Sequence, residues 1–302
     1  MAGHKRAANT AKSFDQTEEL LGSRPAGESR LAVGGLIVLA GNVLRRNGLL
    51  AFGLSLLVGV VGLALLGIIN CGGYVLPGAL SQAWFDLGWA FFLLAICTIG
   101  AGYCYAVLQL LQQRRAGAKT LLAPFGSWRL LLNVAVAGAA IKLGPFLIEI
   151  VWAAIPWEYA GPVLDPKSPL AQAIGAVPGH EWLLLGLPAF VLKVVFFPLA
   201  WAGLDALIRR CSWQEALRHS AGLALRNKGL TMLLFAITML VGQIYIIASP
   251  LVGLSPELSG LFTLASVFLG AVDRMLCTVL LVVLYREFVW REREAAVPTP
   301  TA

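Results

Sequence analysis

The chain has 302 residues, of which 58% are hydrophobic and 13% are charged, and its mean hydropathy is +0.78. Soluble domains carry about a quarter of their residues as charges, so this composition excludes an ordinary water-soluble protein. The net charge is +7, but the Lys and Arg residues stand in short clusters between long apolar segments. That pattern is typical of membrane topology and not of a nucleic-acid-binding surface.

The N-terminal segment 1–30 is polar and mixed in charge. No apolar stretch follows its basic residues, so the sequence does not predict a cleaved secretory signal. We interpret 1–30 as a flexible cytoplasmic tail, 31–288 as one membrane domain and 289–302 as a cytoplasmic C-terminal tail.

The first apolar segment, Leu31–Leu44, is only about two-thirds as long as the ~20 residues that a spanning helix needs. We therefore expect a helix that lies along the inner leaflet near 31–44 without crossing the membrane. Arg45 and Arg46 are expected to hold its end at the headgroups.

Six later segments are long and apolar enough to cross a bilayer. They are Gly48–Ile69, Leu87–Leu111, Trp128–Ile155, Trp182–Ile208, Gly229–Leu251 and Leu261–Tyr285. Backbone polar groups in lipid must be satisfied internally, and segments of this length favour helices over the short strands of a barrel. The predicted fold class is all-α: a polytopic transmembrane helical bundle of about six spans, with interfacial amphipathic helices on the cytoplasmic side.

Positive charge alternates between the connections. Basic residues occupy the N-terminal tail, the loops after the second and fourth predicted spans and the C-terminal tail, whereas the other connections hold only Lys167. Loops rich in Lys and Arg stay in the cytoplasm. Both termini are therefore predicted to lie in the cytoplasm, with the bundle in the cell membrane.

A second surface helix is predicted near 212–228. Ser212 and Glu215 have the spacing of a capping box, and Arg218, His219 and Arg226 occupy the polar side of the helix. The predicted apolar face comprises Trp213, Ala216, Leu217, Ala221 and Leu225. The alternative is an ordinary cytoplasmic loop helix packed on the bundle.

Two hexapeptides resemble each other: Leu44–Leu49 opens the first span, and Leu225–Leu230 opens the fifth. A weaker counterpart, Gln113–Gly117, precedes the third span. Our hypothesis is three repeats, each a surface helix followed by a helical hairpin. Chance similarity in sequence rich in Leu, Gly and Arg is the alternative.

Charged side chains inside spans are costly and therefore mark positions of interest. Five lie inside the predicted spans and away from the span ends: Lys142, Glu149, Lys193, Asp273 and Arg274. Their similar predicted depth allows one cluster near the membrane midplane. One interpretation is a structural network in which the carboxylates partly neutralise the cations. The other is a net positive site for an anion or a lipid phosphate on a substrate path.

Signals for catalysis and metal binding are weak. The histidines, His4, His180 and His219, form neither an HExxH motif nor a triad-like pattern. The five cysteines show no metal-ligand spacing and no disulfide framework. Asp205 and Arg209, four residues apart, are expected to form a surface ion pair of small energy. We predict no catalytic residue, no metal and no cofactor.

Three patches carry a resemblance to known proteins. They are Gly100–Tyr103 followed by a basic loop and Phe125, Trp213–Ser220 leading into a span, and Tyr285–Arg286. In these patches the chain resembles a loose group of uncharacterised bacterial multi-pass membrane proteins related to the membrane domain of glycerophosphodiester phosphodiesterases. The resemblance implies a six-span bundle with inner-leaflet helices and no established activity. The soluble phosphodiesterase domain, with its paired acids and histidines, has no counterpart in this sequence.

The expected function is that of a non-enzymatic membrane component that organises or binds a partner. The expected partners are the lipid bilayer and a membrane protein or a second copy of the chain, and not nucleic acid. The alternative is a transporter or channel for a small anion or lipid-like substrate that uses the midplane charges. A water-filled path to Lys142 or Arg274 favours transport, whereas a dry, paired charge network favours the first hypothesis.

Overall fold

The computed structural model describes Leu21 and residues 33–154, 191–248 and 259–296. Within these ranges the chain forms helices joined by short turns, and no strand occurs among them. The predicted all-α class is confirmed at this level. The predicted N-terminal tail, apart from Leu21, lies outside the described residues. So do residues 297–302 of the predicted C-terminal tail and the predicted outer loop at Pro156–Glu181.

The described helices follow one another with few connecting residues. They are α1 (Val33–Val75), α2 (Gly78–Leu111), α3 (Ala118–Leu121), α4 (Trp128–Ala154), α5 (Ala202–Arg209), α6 (Trp213–Arg226), α7 (Lys228–Ala248) and α8 (Ser259–Ala296). Short 3-10 turns at Ala123–Gly126 and Phe197–Leu199 precede α4 and α5. Residues 191–196 are helical and lead into the second of these turns.

Four helical segments of the described chain are long and apolar enough to cross a membrane. They are Gly34–Val75, Leu80–Leu111, Val191–Arg209 and Val267–Ala296. The bent pair α6–α7 provides a fifth when it is counted as one span. Helices of this length and composition are compatible with an integral membrane protein. The third predicted span forms α4, and the count of six spans stays a prediction.

The first predicted surface helix and the first predicted span form one element. α1 continues through Arg45, Arg46 and Gly48 without a break. A single glycine costs a helix only about 1 kcal/mol relative to alanine, which the neighbouring turns offset. With 43 residues, α1 is about 65 Å long, roughly twice the hydrocarbon thickness of a bilayer. Residues 33–44 are therefore the start of a longer helix and do not form a separate one.

The second predicted surface helix is a separate element, α6. The Ser212 side chain accepts a hydrogen bond from the Glu215 N–H, and the Glu215 carboxylate accepts one from the Ser212 N–H. The predicted capping box is thus confirmed. α6 ends at Asn227, and the chain there bends by 99° into α7.

The two similar hexapeptides adopt different backbones. At the α6–α7 bend, the Asn227 side chain donates to one carbonyl in the last turn of α6 at 3.0 Å, and the Thr231 hydroxyl donates to another at 3.2 Å. The matching positions in α1 hold Arg46 and Leu50, and α1 continues as a helix. The Leu50 side chain has no hydrogen-bond donor. A bend at this position would therefore leave a helix carbonyl without the partner that the Thr231 hydroxyl provides in α7. The repeat hypothesis predicts the same backbone geometry at the two hexapeptides. The chain instead bends by 99° at the second and continues as an unbroken helix through the first.

The hydrophobic core lies toward one end of the bundle, which we call the core end. The C-terminal half of α8 is its centre, where Tyr285 and Phe288 are fully buried among residues of α1, α2, α5 and α6. Around the α1–α2 connection, at the opposite end, large apolar side chains such as Tyr74, Leu80 and Leu87 are exposed. Exposed apolar surface of this kind is expected of helices that face lipid.

Candidate functional site

A polar cluster lies at the core end, where α5, α6 and α8 meet. We call it the Asp205 cluster. Its members are Asp205, Arg209, His219, Arg226, Tyr285 and Glu292.

Asp205 is the buried centre of the cluster, with none of its side chain exposed. Its Oδ1 atom accepts a hydrogen bond from the Tyr285 hydroxyl at 2.7 Å and lies 2.9 Å from Nδ1 of His219. Nη1 of Arg209 lies 3.7 Å from Oδ2. A buried carboxylate without partners costs several kcal/mol, so these contacts allow an acid to occupy this position.

The ion pair expected between Asp205 and Arg209 is present, but its expected position on the surface is wrong, because the Asp205 side chain is fully buried. α5 buries every residue from Ala202 to Ile208, because it is covered by α4 and α6 as well as α2. Asp205 faces the core, and Arg209 is a flanking cation at a long distance from it. The main partners of the carboxylate come from α6 and α8.

His219 bridges two carboxylates. Its Nε2 atom lies 2.8 Å from Oε2 of Glu292, in addition to the contact between Nδ1 and Asp205. Burial opposes charge on the ring, but the hydrogen bonds to Asp205 and Glu292 outweigh it and raise the pKa of His219 to about 9. At neutral pH the ring is thus an imidazolium that donates from both nitrogens.

Glu292 connects the ends of α6 and α8. Its Oε1 atom accepts a hydrogen bond from Nη1 of Arg226 at 2.8 Å. The Arg226 side chain is 68% exposed, so this pair contributes little energy by itself. The energy of the cluster therefore comes mainly from the half-buried ring of His219 and the buried carboxylate of Asp205.

The buried face of α6 differs from the predicted apolar face. It comprises Ala216, Ser220, Leu223 and Ala224. The small residues Ala216 and Ser220 permit close approach, and the Ser220 hydroxyl donates to the Pro198 carbonyl at 2.8 Å. Trp213 and Leu225 remain exposed. His219, predicted to lie on the polar side, consequently points toward the bundle.

The geometry of the cluster favours a structural role. A histidine that acts as a general base needs a ring nitrogen within reach of a substrate proton, and both nitrogens of His219 face carboxylates. Asp205 and Tyr285 are completely buried. In the part of the chain that the structure describes, no group of three or more His, Cys, Asp or Glu residues is arranged to hold a metal ion.

The predicted midplane charges lie on α4, α8 and the helical stretch before α5. Lys142 and Lys193 are exposed, and Lys142 is close enough to Cys97 of α2 for an electrostatic interaction. The Glu149 side chain lies outside the described part of the chain. Among described side chains, no ion pair joins Asp273 to either lysine. A single midplane site stays a prediction.

Arg274 binds the backbone of α1. Its Nη1 atom donates to the Ser55 carbonyl at 2.8 Å, and the Ser55 hydroxyl donates to the Ala271 carbonyl of α8 at 2.8 Å. Gly59 leaves room for the guanidinium, since a Cβ atom there would lie 3.2 Å from Nη1. These reciprocal hydrogen bonds join α1 to α8.

The sequence patterns above do not predict the Asp205 cluster as a unit, although two features of the sequence point toward it. Asp205 is the one carboxylate in the apolar segment 191–208, and Tyr285 and Glu292 are seven residues apart, which places them on one face of α8. Family models, curated proteins and solved structures offer no match to this chain. Its function is therefore inferred from the cluster and the helices around it.

Proposed function

We propose that the protein is a non-enzymatic integral membrane component that organises other components of the membrane or binds to them. One observation carries this proposal: each ring nitrogen of His219 faces a carboxylate, of Asp205 or of Glu292. The one histidine of the described residues thus holds helices together. Its position leaves no ring nitrogen for a substrate.

A search for turnover tests the non-enzymatic part of the proposal. The purified protein is reconstituted in vesicles of bacterial lipid extract, and mass spectrometry compares lipids and added phosphodiesters with those of empty vesicles. We expect no protein-dependent loss of any component. Turnover that disappears in folded His219→Ala protein and persists in Arg218→Ala protein would contradict the proposal, since Arg218 is an exposed neighbour outside the cluster.

The orientation proposed is one with both termini in the cytoplasm of a bacterial inner membrane. Exposed basic residues at the core end, including Arg115, Arg210 and Lys228, support it because cytoplasmic loops are rich in Lys and Arg. Cys71, near the end of α1, and Cys211, between α5 and α6, allow a test with single-cysteine variants. An impermeant thiol reagent applied outside the cell is expected to label Cys71 and not Cys211; the reverse pattern overturns the orientation.

A relation to the membrane domain of glycerophosphodiester phosphodiesterases fits this proposal. All three resembling patches are at the core end: Gly102 lies against the Leu121 backbone, Trp213–Ser220 supplies His219, and Tyr285 is buried at the centre of the core. The relation concerns the membrane domain alone and brings no hydrolase activity to this chain. A solved structure of such a domain with the same helix order would support the relation, and one with a different order would contradict it.

Passage of a small anion or lipid-like substrate is a second candidate function. It is favoured by Arg274, whose hydrogen-bond acceptor in α1 is a neutral carbonyl and not a carboxylate. Anion flux into vesicles that contain the protein tests this candidate. Flux that falls in Arg274→Gln protein and persists in Arg45→Gln protein supports transport, whereas absence of flux in the unaltered protein contradicts it.

A further inference from the structure

Exposed basic and large apolar side chains occur together along one border of the core end. We call this surface the basic–aromatic shelf. It comprises Lys119, Leu122, Phe125, Trp128 and Arg129 around the start of α4, and Trp213, Arg218 and Leu225 on α6. The exposed fraction is 58% for Leu122 and 73% for Trp128, so both side chains are available for contact.

The two parts of the shelf are adjacent in space. The Trp213 N–H donates to Oδ1 of Asn133 at 3.3 Å, and Asn133 lies about one helical turn beyond Arg129 on α4. α6 meets α7 at 99°, so α6 lies close to the membrane plane when the apolar helix α7 crosses the bilayer. The shelf is therefore at the level where α4 and α7 begin.

The composition of the shelf matches the boundary between headgroups and acyl chains. Aromatic side chains concentrate at this level, and Lys and Arg side chains there attract phosphate. Covering an exposed apolar side chain such as Trp128 or Phe125 with acyl chains is favourable, because it removes apolar surface from water. Among the described residues, no carboxylate forms an ion pair with Lys119, Arg129 or Arg218. Their charges are thus open to an anion.

We propose that the basic–aromatic shelf binds the phosphates of anionic phospholipids. The cations select headgroups of net negative charge over zwitterionic ones. The exposed Leu122, Phe125 and Trp128 side chains select a lipid over a free phosphate ion, because they offer apolar contact to acyl chains. This inference names the partner class of the proposed function and rests on it.

Short-chain lipids provide the test. The full-length protein in neutral detergent is titrated with dioctanoyl phosphatidylglycerol, with dioctanoyl phosphatidylcholine and with inorganic phosphate, and the Tm is recorded at each concentration. The double variant Arg129→Gln/Arg218→Gln removes two shelf charges. The matched control, Arg115→Gln/Arg210→Gln, removes two exposed charges of the core end that lie outside the shelf.

We expect phosphatidylglycerol to raise the Tm more than phosphatidylcholine does, and inorganic phosphate to leave it unchanged. The shelf variant is expected to bind phosphatidylglycerol roughly tenfold more weakly, and the control variant to keep its affinity. Equal shifts with the two lipids, an equal loss in both variants, or a shift with inorganic phosphate alone would overturn the inference.

The outcome for the shelf can be separated from the outcome for the proposed function. A failed lipid titration overturns the shelf as an anionic lipid site and leaves the non-enzymatic proposal in place, because that proposal depends on His219. Turnover that requires His219 overturns the non-enzymatic proposal whatever the lipid titration shows.

Discussion

Nδ1 of His219 lies 2.9 Å from Oδ1 of Asp205, and the other nitrogen of the same ring lies 2.8 Å from Glu292. One imidazolium thereby joins α5, α6 and α8, which are separated along the chain. The buried carboxylate of Asp205 requires this partner, since a buried charge that loses its partner is strongly destabilising. The proton on His219 is thus part of what holds the core end together.

Stability is expected to fall as the pH rises toward 9. The pKa of His219 is about 9 in the folded protein and ~6.5 in an unfolded chain. The stabilisation is therefore fully present below about pH 6.5 and is lost progressively as the pH rises through about 9. The Tm in detergent is predicted to decline over this interval, and the His219→Gln variant to show a flatter profile. Equal slopes in the two proteins would contradict the assignment.

Replacement of Arg274 by methionine is expected to cost about 2 kcal/mol of unfolding free energy. The change removes a charged donor from the Ser55 carbonyl while preserving most of the side-chain volume. Lys142→Met and Lys193→Met serve as controls, because both lysines are exposed, and little change is expected from either. Equal losses in all three variants would instead favour a shared charge network, and raised stability in all three would favour charges kept for function.

Gly72→Ala is expected to destabilise the turn between α1 and α2 by about 1–3 kcal/mol. A Cβ atom at Gly72 would collide with the Trp84 ring, whose Nε1 donates to the Ile69 carbonyl at 2.8 Å. The matched control is Gly67→Ala in the same helix, where a Cβ atom meets nothing within 4 Å. That substitution is expected to raise stability by up to about 1 kcal/mol, because alanine favours a helix. Thermal unfolding compares them, and a Gly72→Ala protein as stable as the Gly67→Ala protein would count against the contact.

Thr231→Val is expected to lower stability by about 1–2 kcal/mol and to loosen the bend between α6 and α7. The hydroxyl of Thr231 donates to the Ala224 carbonyl, which lies in the last turn of α6. Thr238→Val is the control, since the Thr238 hydroxyl donates to Phe235 within α7 and not across the bend. Thermal unfolding, with hydrogen exchange of the residues around Asn227, distinguishes the two variants. Identical exchange in both would contradict a role of Thr231 in the bend.

Elements that depend on local pattern were predictable from the sequence. The all-α class followed from apolar length, and the start of α6 followed from the spacing of Ser212 and Glu215. The continuity of α1 was not predictable from local sequence pattern. Arg45 and Gly48 resemble the end of a helix, but contacts with other helices decide whether the helix ends there. The bend after α6 involves a hydrogen bond from Thr231, the residue that follows the hexapeptide Leu225–Leu230. The similar hexapeptide in α1, Leu44–Leu49, is followed by Leu50 instead.

The Asp205 cluster depends on contacts between residues far apart in the chain. Asp205 and Tyr285 are 80 positions apart, and His219 and Glu292 are 73 apart. Helical periodicity places such residues on faces but does not say which faces meet. Helical spacing consequently predicts only the pair with Arg209, which is present at 3.7 Å, whereas the closer partners of Asp205 come from α6 and α8.

The central claim is that His219 and Asp205 stabilise the protein as a pair, and a double-mutant cycle tests it most directly. The Tm and the unfolding free energy are measured at pH 6.5 for the unaltered protein, His219→Gln, Asp205→Asn and the double variant. A coupling energy of about 1–3 kcal/mol is predicted, because each substitution leaves the other partner unsatisfied in a buried position. Additive effects, with a coupling near zero, would contradict a structural pair and reopen a catalytic role for the histidine.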